Sequence, residues 1–301
     1  YCTNKLYPEL NVKTKYSLKG IENIWKKISG IAIGRISLMC RNSFDSIIIS
    51  SLLGLTTVAI YSNYYLIFSS ISSILSVILT SMSASVGNSL VLESEEKNEN
   101  DHIRFDFYYE VIVSFCTICL FLLYQPFMAF WVGKDLMFSL KTMSLFCIYF
   151  YINQLAQVRS VYSEAAGLWW HFRYLTIGEM FANLVLNIGL GYLFGVNGII
   201  IATIITAFVG SYLGCSFITY KKLFHKSAKE YFFNNLFYQI VTVIACILGM
   251  KLFCNIQNSN FIAFLINALW ISGYAGLFLF ITYYCVPKTR NYLKKMPFKI
   301  L

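Results

Sequence analysis

Long apolar stretches separated by short polar ones divide most of this chain. Allowing about 20 apolar residues for each membrane crossing, the pattern predicts eight helices. They lie at about 28–53, 57–90, 107–132, 138–164, 172–194, from a tight turn at 195–198 to 220, 231–254 and 261–285. Barrel strands would instead alternate apolar and polar side chains over about ten residues. Because only helices and closed barrels satisfy their backbone in lipid, we expect an all-α, polytopic membrane protein.

Composition and charge sharpen this expectation. The chain is 57% hydrophobic and 13% charged, with a mean hydropathy of +0.62, which lies outside the range of water-soluble domains. A net charge of +10 would suggest a nucleic-acid partner in a soluble protein. Here the Lys and Arg residues concentrate in alternate loops, as eight spans with both chain ends in the cytoplasm require, so no nucleic acid is expected. The acidic segment 93–106 is predicted to be a solvated loop.

The first predicted helix carries three charged residues, Arg35, Arg41 and Asp45, in an otherwise apolar stretch. At 3.6 residues per turn they share a face roughly 140° wide with Asn42. Each charge at mid-bilayer costs about 2.5 to 3.5 kcal/mol, so this face is expected to meet a bundle interior or an aqueous cavity. A purely structural alternative is an Arg41–Asp45 ion pair at i,i+4 spacing. Arg35 has no such partner within this helix.

Two further polar stripes follow, on the fourth and fifth predicted helices. If the three stripes face one interior, they line a hydrated cavity with arginine available for an anion, because the guanidinium fork suits phosphate. The alternative is that the Asn and Gln residues only bond between helices, at about 0.6 kcal/mol each. The predicted cavity residues are Arg35, Arg41, Asn42, Asn153, Gln157, Asn183 and Asn187, and the predicted residues for ion coupling or charge balance are Asp45, Glu164 and Glu179.

Small residues form a ridge along the second predicted helix. From Ser69 to Gly87 they recur at intervals of four and three residues. Such a ridge permits close contact between helices, so packing is the favoured interpretation, with a hydroxyl-lined pathway as the alternative.

Catalytic motifs are absent from the sequence. It has no phosphate-binding P-loop and no H-E-x-x-H zinc motif, and its three histidines fall in predicted loops or interfaces. Cys116 and Cys119 form a lone C-x-x-C within a predicted helix, where packing is the favoured role. We therefore expect no enzyme, no cofactor and no metal site.

Several motifs, in their order and spacing, carry a family resemblance. They are Asn42-Ser-Phe-Asp45-Ser-Ile-Ile-Ile-Ser50, Leu53-Gly-Leu, Val58-Ala-Ile-Tyr61-Ser-Asn-Tyr64-Tyr, Trp131-Val-Gly133-Lys134, Glu164-Ala-Ala-Gly167-Leu, Glu179 with Asn183, and Gly195-Val-Asn-Gly198. Together these segments resemble the second half of bacterial polysaccharide flippases. Those proteins belong to the multidrug, oligosaccharidyl-lipid and polysaccharide exporter superfamily. The resemblance extends from about residue 7 to the basic tail.

The resemblance implies two six-helix lobes around a central cavity, followed by two extra helices. Residues 1–27 would be the basic linker between lobes, 28–220 the second lobe, and 221–301 the extra helices and cytoplasmic tail. The chain would then start partway through a longer protein, with the first lobe outside it. The implied function is alternating-access transfer of an undecaprenyl-pyrophosphate-linked oligosaccharide across the bacterial cytoplasmic membrane, for O-antigen or capsule export. The implied partners are membrane lipid, that lipid-linked oligosaccharide, the first lobe, and a polysaccharide polymerase with its chain-length machinery.

Other functions remain open from the sequence. A lipid II flippase would share the same architecture. A multidrug or cation antiporter of the same superfamily predicts an acidic, aromatic cavity. A membrane glycan polymerase or acyltransferase predicts a long outer loop, and a purely structural membrane partner predicts no polar stripes.

Overall fold

The computed structural model describes residues 21–253 and 261–294, without the side chains of 21–23, 42 and 294. Within these residues the chain is helical and has no strands. The helices in chain order are α1 (Ile21–Leu53), α2 (Leu55–Leu92), α3 (Glu95–Trp131), α4 (Leu140–Leu155), α5 (Gln157–Ala165), α6 (Trp169–Phe194), α7 (Val196–Thr206), α8 (Cys215–Leu223), α9 (Lys229–Leu252), α10 (Phe261–Cys285) and α11 (Pro287–Lys294). A π-helical segment, Ala207–Gly214, joins α7 to α8 without a break. The all-α prediction is confirmed for this part of the chain.

Six helical stretches are long and apolar enough to cross a membrane. They are α2, α3, α6, the continuous stretch Val196–Leu223, α9 and α10. The chain is accordingly a multi-pass membrane protein. The predicted total of eight spans is not confirmed. Helix α1 is continuous, but its apolar stretch contains charged residues, and the fourth predicted helix is divided at Ala156 into α4 and α5.

The loop predicted across the acidic segment is wrong for most of its length. Helix α3 begins at Glu95, where the Ser94 hydroxyl accepts a hydrogen bond from the Lys97 amide at 3.3 Å. Two glutamates in the first turn favour the positive end of the helix dipole. Beyond this turn, polar residues that look solvated in the sequence, among them His102 and Asp106, are buried against other helices.

An ion pair ties this acidic turn to the loop before α9. The Lys226 ammonium donates a hydrogen bond to the Glu99 carboxylate, which lies in the buried part of α3. This bond and the charge of Glu99 raise the pKa of Lys226 above its usual value. The lysine remains largely exposed, so the pair contributes little to stability.

Glycines allow the tightest helix connections. Gly54 and Gly195 adopt φ values of +85° and +60°, which favour glycine, and they end α1 and α6 respectively. A side chain at Gly198 would overlap the backbone carbonyl of Leu190, so α7 returns along α6 at close range. The predicted tight turn at 195–198 is confirmed.

Packing divides the helices into a main bundle and an attached pair. Helix α1 packs along α6, α6 along α7, and α2 against α5. Helices α9 and α10 pack on the outer side of α3, where Phe107, Tyr238 and Tyr283 belong to a separate apolar cluster. Helix α3 is thus the element that joins the bundle to the pair.

The small-residue ridge of α2 does not pack against the part of the chain that the structure describes. Ser73, Ser76, Thr80 and Ser83 are exposed, and a side chain at Gly87 would meet no atom within 4 Å. The favoured interpretation of the ridge as a packing surface is therefore wrong for contacts among the described helices, which cover the opposite face, including Leu75 and Leu79.

Candidate functional site

A buried ion pair between α1 and α6 organises the polar interior. Arg41 donates through Nη1 to Oε1 of Glu179, and the two residues are only 6% and 8% exposed. Ser211, in the π-helical segment, donates to both oxygens of the same carboxylate at 3.0 and 2.9 Å. The structural alternative of an Arg41–Asp45 ion pair within α1 is therefore wrong. Helix α6 packs so closely along α1 that Glu179 supplies the partner from across the interface.

Gly210 permits this arrangement. A Cβ atom at this position would overlap the Glu179 carboxylate. The carboxylate therefore lies directly against the backbone of the π-helical segment, next to Ser211, and a larger residue would displace it.

Asp45 lies one turn further along α1 and is satisfied by three donors. Its carboxylate accepts hydrogen bonds from Asn187 at 2.7 Å, from Tyr61 at 3.1 Å and from Thr203 at 3.2 Å. The residue is 3% exposed. These bonds join α1, α2, α6 and α7 at one point, and their donors compensate a buried charge without a cation in contact.

Asn183 and Asn187 extend this network along α6. Asn187 donates to the side-chain oxygen Oδ1 of Asn183 at 3.1 Å, and Asn183 donates through Nδ2 to the hydroxyls of Thr203 and Thr206 at 3.1 and 3.3 Å. Both asparagines are fully buried and neither lines the cavity described below. Their positions match the alternative in which these Asn residues only form hydrogen bonds between helices.

A cavity of about 200 Å³ opens beside the ion pair, between α1, α4, α5, α6 and the π-helical segment. It brings together six of the predicted residues: Arg35, Arg41, Asn153, Gln157, Glu164 and Glu179. The Asn42 side chain lies outside the described residues. The three polar stripes therefore do contribute to one cavity, except for the inner part of the α6 stripe.

Arg159, on α5, is a third arginine of this cavity, and the sequence analysis missed it. It is 4% exposed, donates to the Ser211 carbonyl oxygen at 3.1 Å, and its Nε has no partner. Its guanidinium lies 5.6 Å from the ring centre of Phe172. The signal was present in the Gln157–Glu164 stretch, but Arg159 does not share the helical face of the residues that marked the stripe.

The charges of the cavity favour an anion. Three arginines and two glutamates line it, which gives a formal charge of +1. Arg41 and Glu179 neutralise each other, whereas Glu164 lies within electrostatic reach of both Arg35 and Arg159 and forms no ion pair with either among the described residues. The Arg35 guanidinium lies 5.5 Å from the ring centre of Trp169, and both residues line the cavity.

The arrangement offers binding chemistry, with guanidinium groups and amides around a small polar space. Within residues 21–253 and 261–294, no group of three or more His, Cys, Asp or Glu side chains is placed to hold a metal ion. In comparisons with known proteins, no protein-family model, no curated protein sequence and no solved structure matches this chain.

Proposed function

We propose that this chain is part of a flippase that transfers an undecaprenyl-pyrophosphate-linked oligosaccharide across the bacterial cytoplasmic membrane for surface polysaccharide export. The observation that carries the proposal is the arginine-lined cavity within a multi-pass membrane protein. Ionisable residues in membrane helices are costly and are retained for function. A pyrophosphate is the anionic part of such a substrate, and it matches the donor geometry of guanidinium groups.

Arg35 is the residue on which we place first contact with the pyrophosphate. It is exposed at the cavity, and no carboxylate among the described residues forms an ion pair with it. Arg41 is held by Glu179 and Arg159 by the Ser211 carbonyl, so both shape the cavity and its charge. Asn153 and Gln157 supply amides for sugar hydroxyls.

The topology completes the proposal. We take α1, and α4 with α5, as two further spans, which restores eight crossings with both ends in the cytoplasm. The exposed small-residue ridge of α2 would then face the first lobe across the central cavity. Rocking of the two lobes would expose the cavity to either side of the membrane, as in transporters built from repeated halves. Asp45 or Glu179 would carry the coupling proton or sodium ion.

The experiment is an export assay in the bacterium of origin, with substitutions made in the full-length protein. Arg35→Gln should lower surface polysaccharide about tenfold and cause lipid-linked oligosaccharide to accumulate inside. A lost charge-assisted hydrogen bond is worth about 1.5 kcal/mol or more, which corresponds to about tenfold.

Arg173→Gln is the matched control. Arg173 also stacks on a tryptophan, 4.0 Å from the ring centre of Trp170, but it does not line the cavity. With membrane levels of the proteins equalised by immunoblot, the control should export normally. Unchanged export in the Arg35→Gln strain, or an equal loss in both strains, would remove the basis of the proposal.

A further inference from the structure

Two carboxylates are buried on successive turns of α3, away from the arginine-lined cavity. Asp106 is 3% exposed and Glu110 is fully buried, and neither lines that cavity. At i,i+4 spacing the two side chains lie on the same face of the helix. Two like charges buried so close together are costly unless something compensates them.

The described surroundings compensate them only in part. The Tyr151 hydroxyl donates to Oε2 of Glu110 at 3.0 Å. No lysine, arginine or histidine among the described residues forms an ion pair with either carboxylate. Oδ1 of Asp106 and Oε1 of Glu110 are buried and have no hydrogen-bond partner. Asp45 differs in this respect, because three donors satisfy it.

A third buried group faces the same place from α9. Asn235 is fully buried, and its amide lies next to Asp106 and Tyr212. The Asn235 amide is close to Asp106, but neither of its side-chain atoms has a partner with good hydrogen-bond geometry among the described residues. Buried amides are almost always hydrogen-bonded, so an unsatisfied Asn beside two unsatisfied carboxylates needs an explanation.

We propose that Asp106, Glu110 and Asn235 form a binding site for a small monovalent cation, Na⁺, between α3 and α9. Three unsatisfied oxygen atoms, one from each residue, are hard ligands of the kind such cations prefer. Ca²⁺ takes six to eight oxygen ligands and Mg²⁺ keeps several waters, whereas a carboxylate pair that shares one proton carries a single negative charge, which a monovalent cation balances. With Na⁺ bound, one proton on the carboxylate pair completes the charge balance.

The position of the site gives it a structural consequence. Helix α3 belongs to the main bundle, and α9 belongs to the attached pair. A cation held between them would tie the two parts together. One turn further along α3, Thr242 of α9 donates a hydrogen bond to the Ser114 hydroxyl at 2.7 Å, which also joins these helices. This inference does not depend on the proposed transport function.

The test is Na⁺ binding to the purified full chain in detergent. Thermal unfolding is measured while NaCl replaces choline chloride at constant ionic strength, and ²²Na⁺ binding is measured by equilibrium dialysis. We expect a saturable rise in Tm with Na⁺. Asp106→Asn and Glu110→Gln should each weaken ²²Na⁺ binding at least tenfold and remove the Na⁺-dependent rise. Asp101→Asn, in the same helix and more exposed, should retain both.

Two further variants distinguish Na⁺ binding at this site from loss of a carboxylate and from Na⁺ binding at Asp45. Asn235→Leu leaves both carboxylates in place and should still weaken ²²Na⁺ binding. The measurements are repeated with Asp45→Asn, so that an ion held at Asp45 does not contribute, and the Na⁺ response should persist there. The proposal is overturned if Na⁺ has no more effect on Tm than choline, or if the Asp106 and Glu110 variants bind ²²Na⁺ like the unaltered chain.

Discussion

The Arg41–Glu179 ion pair can be tested by a double-mutant cycle in which the two single substitutions should cost different amounts of stability. Both residues are almost fully buried and are joined across the α1–α6 interface. Replacing each by methionine removes the charge and keeps a side chain of similar length. The three variants are Arg41→Met, Glu179→Met and the double substitution.

The structure predicts how much each variant loses. Removing one partner of a buried pair costs about 3 to 5 kcal/mol, because the other charge stays buried and uncompensated. After Arg41→Met, the Glu179 carboxylate still accepts the Ser211 hydroxyl, which is shared between its two oxygens, so the loss of stability should lie near ~3 kcal/mol. After Glu179→Met, Arg41 loses the one ion pair that it forms among the described residues, where its Nε also lacks a hydrogen-bond partner, so the loss of stability should lie near ~5 kcal/mol.

The assay is SDS-induced unfolding of the purified chain in mixed micelles. The double variant should be more stable than Glu179→Met alone, because no buried charge remains. The double variant should therefore lose less than about 5 kcal/mol, against about 8 kcal/mol for the sum of the two single losses, so the coupling energy should exceed about 3 kcal/mol, well above the ~0.5 kcal/mol scatter of independent sites. Additive losses would refute the reasoning, since they would mean that neither charge depends on the other.

Three further outcomes follow from the packing and can be measured by the same unfolding assay. Gly198→Ala should lower the free energy of unfolding by about 1 to 3 kcal/mol, because its Cβ would overlap a backbone carbonyl of α6. Gly189→Ala, with open space around it, should be neutral or slightly stabilising. Equal effects of the two substitutions would contradict the close α6–α7 contact. Asp45→Asn should cost about 1 to 3 kcal/mol because an amide cannot accept all three donors, and an unaltered midpoint would argue against that network. Lys226→Ala should leave the midpoint unchanged within error, because its ion pair is largely solvated; a clear loss would show a stronger link to α3.

The sequence predicts the fold well where the length of an apolar stretch or the position of a glycine determines where a helix begins or ends. The turn at Gly195 follows from its glycine and asparagine neighbours, and α10 has the bounds that its apolar stretch predicts. The start of α3 was not predictable in this way, because its first turns carry many charges. Only the tertiary structure shows that residues such as His102 are covered by Tyr162, Tyr220 and Tyr231.

The sequence predicts which types of residue form the site, but it predicts their interaction partners less well. The spacing of Glu179, Asn183 and Asn187 correctly indicated an inward face of α6. Asp45, the partner that i,i+4 spacing offers to Arg41, is not the partner in the structure. The sequence gives the spacing within one helix, but it does not show that α6 brings Glu179 to Arg41. Arg159 was missed for a related reason, since its role depends on Ser211 in the distant π-helical segment.

We propose above that the cavity beside Arg35 recognises a pyrophosphate. The most direct measurement is binding of undecaprenyl pyrophosphate, against uncharged undecaprenol, to the purified full chain in nanodiscs by native mass spectrometry. We predict a preference for the pyrophosphate that falls about tenfold in Arg35→Gln, the loss of one charge-assisted hydrogen bond, and is kept in Arg173→Gln. Equal binding of the two lipids by the unaltered chain would contradict the account.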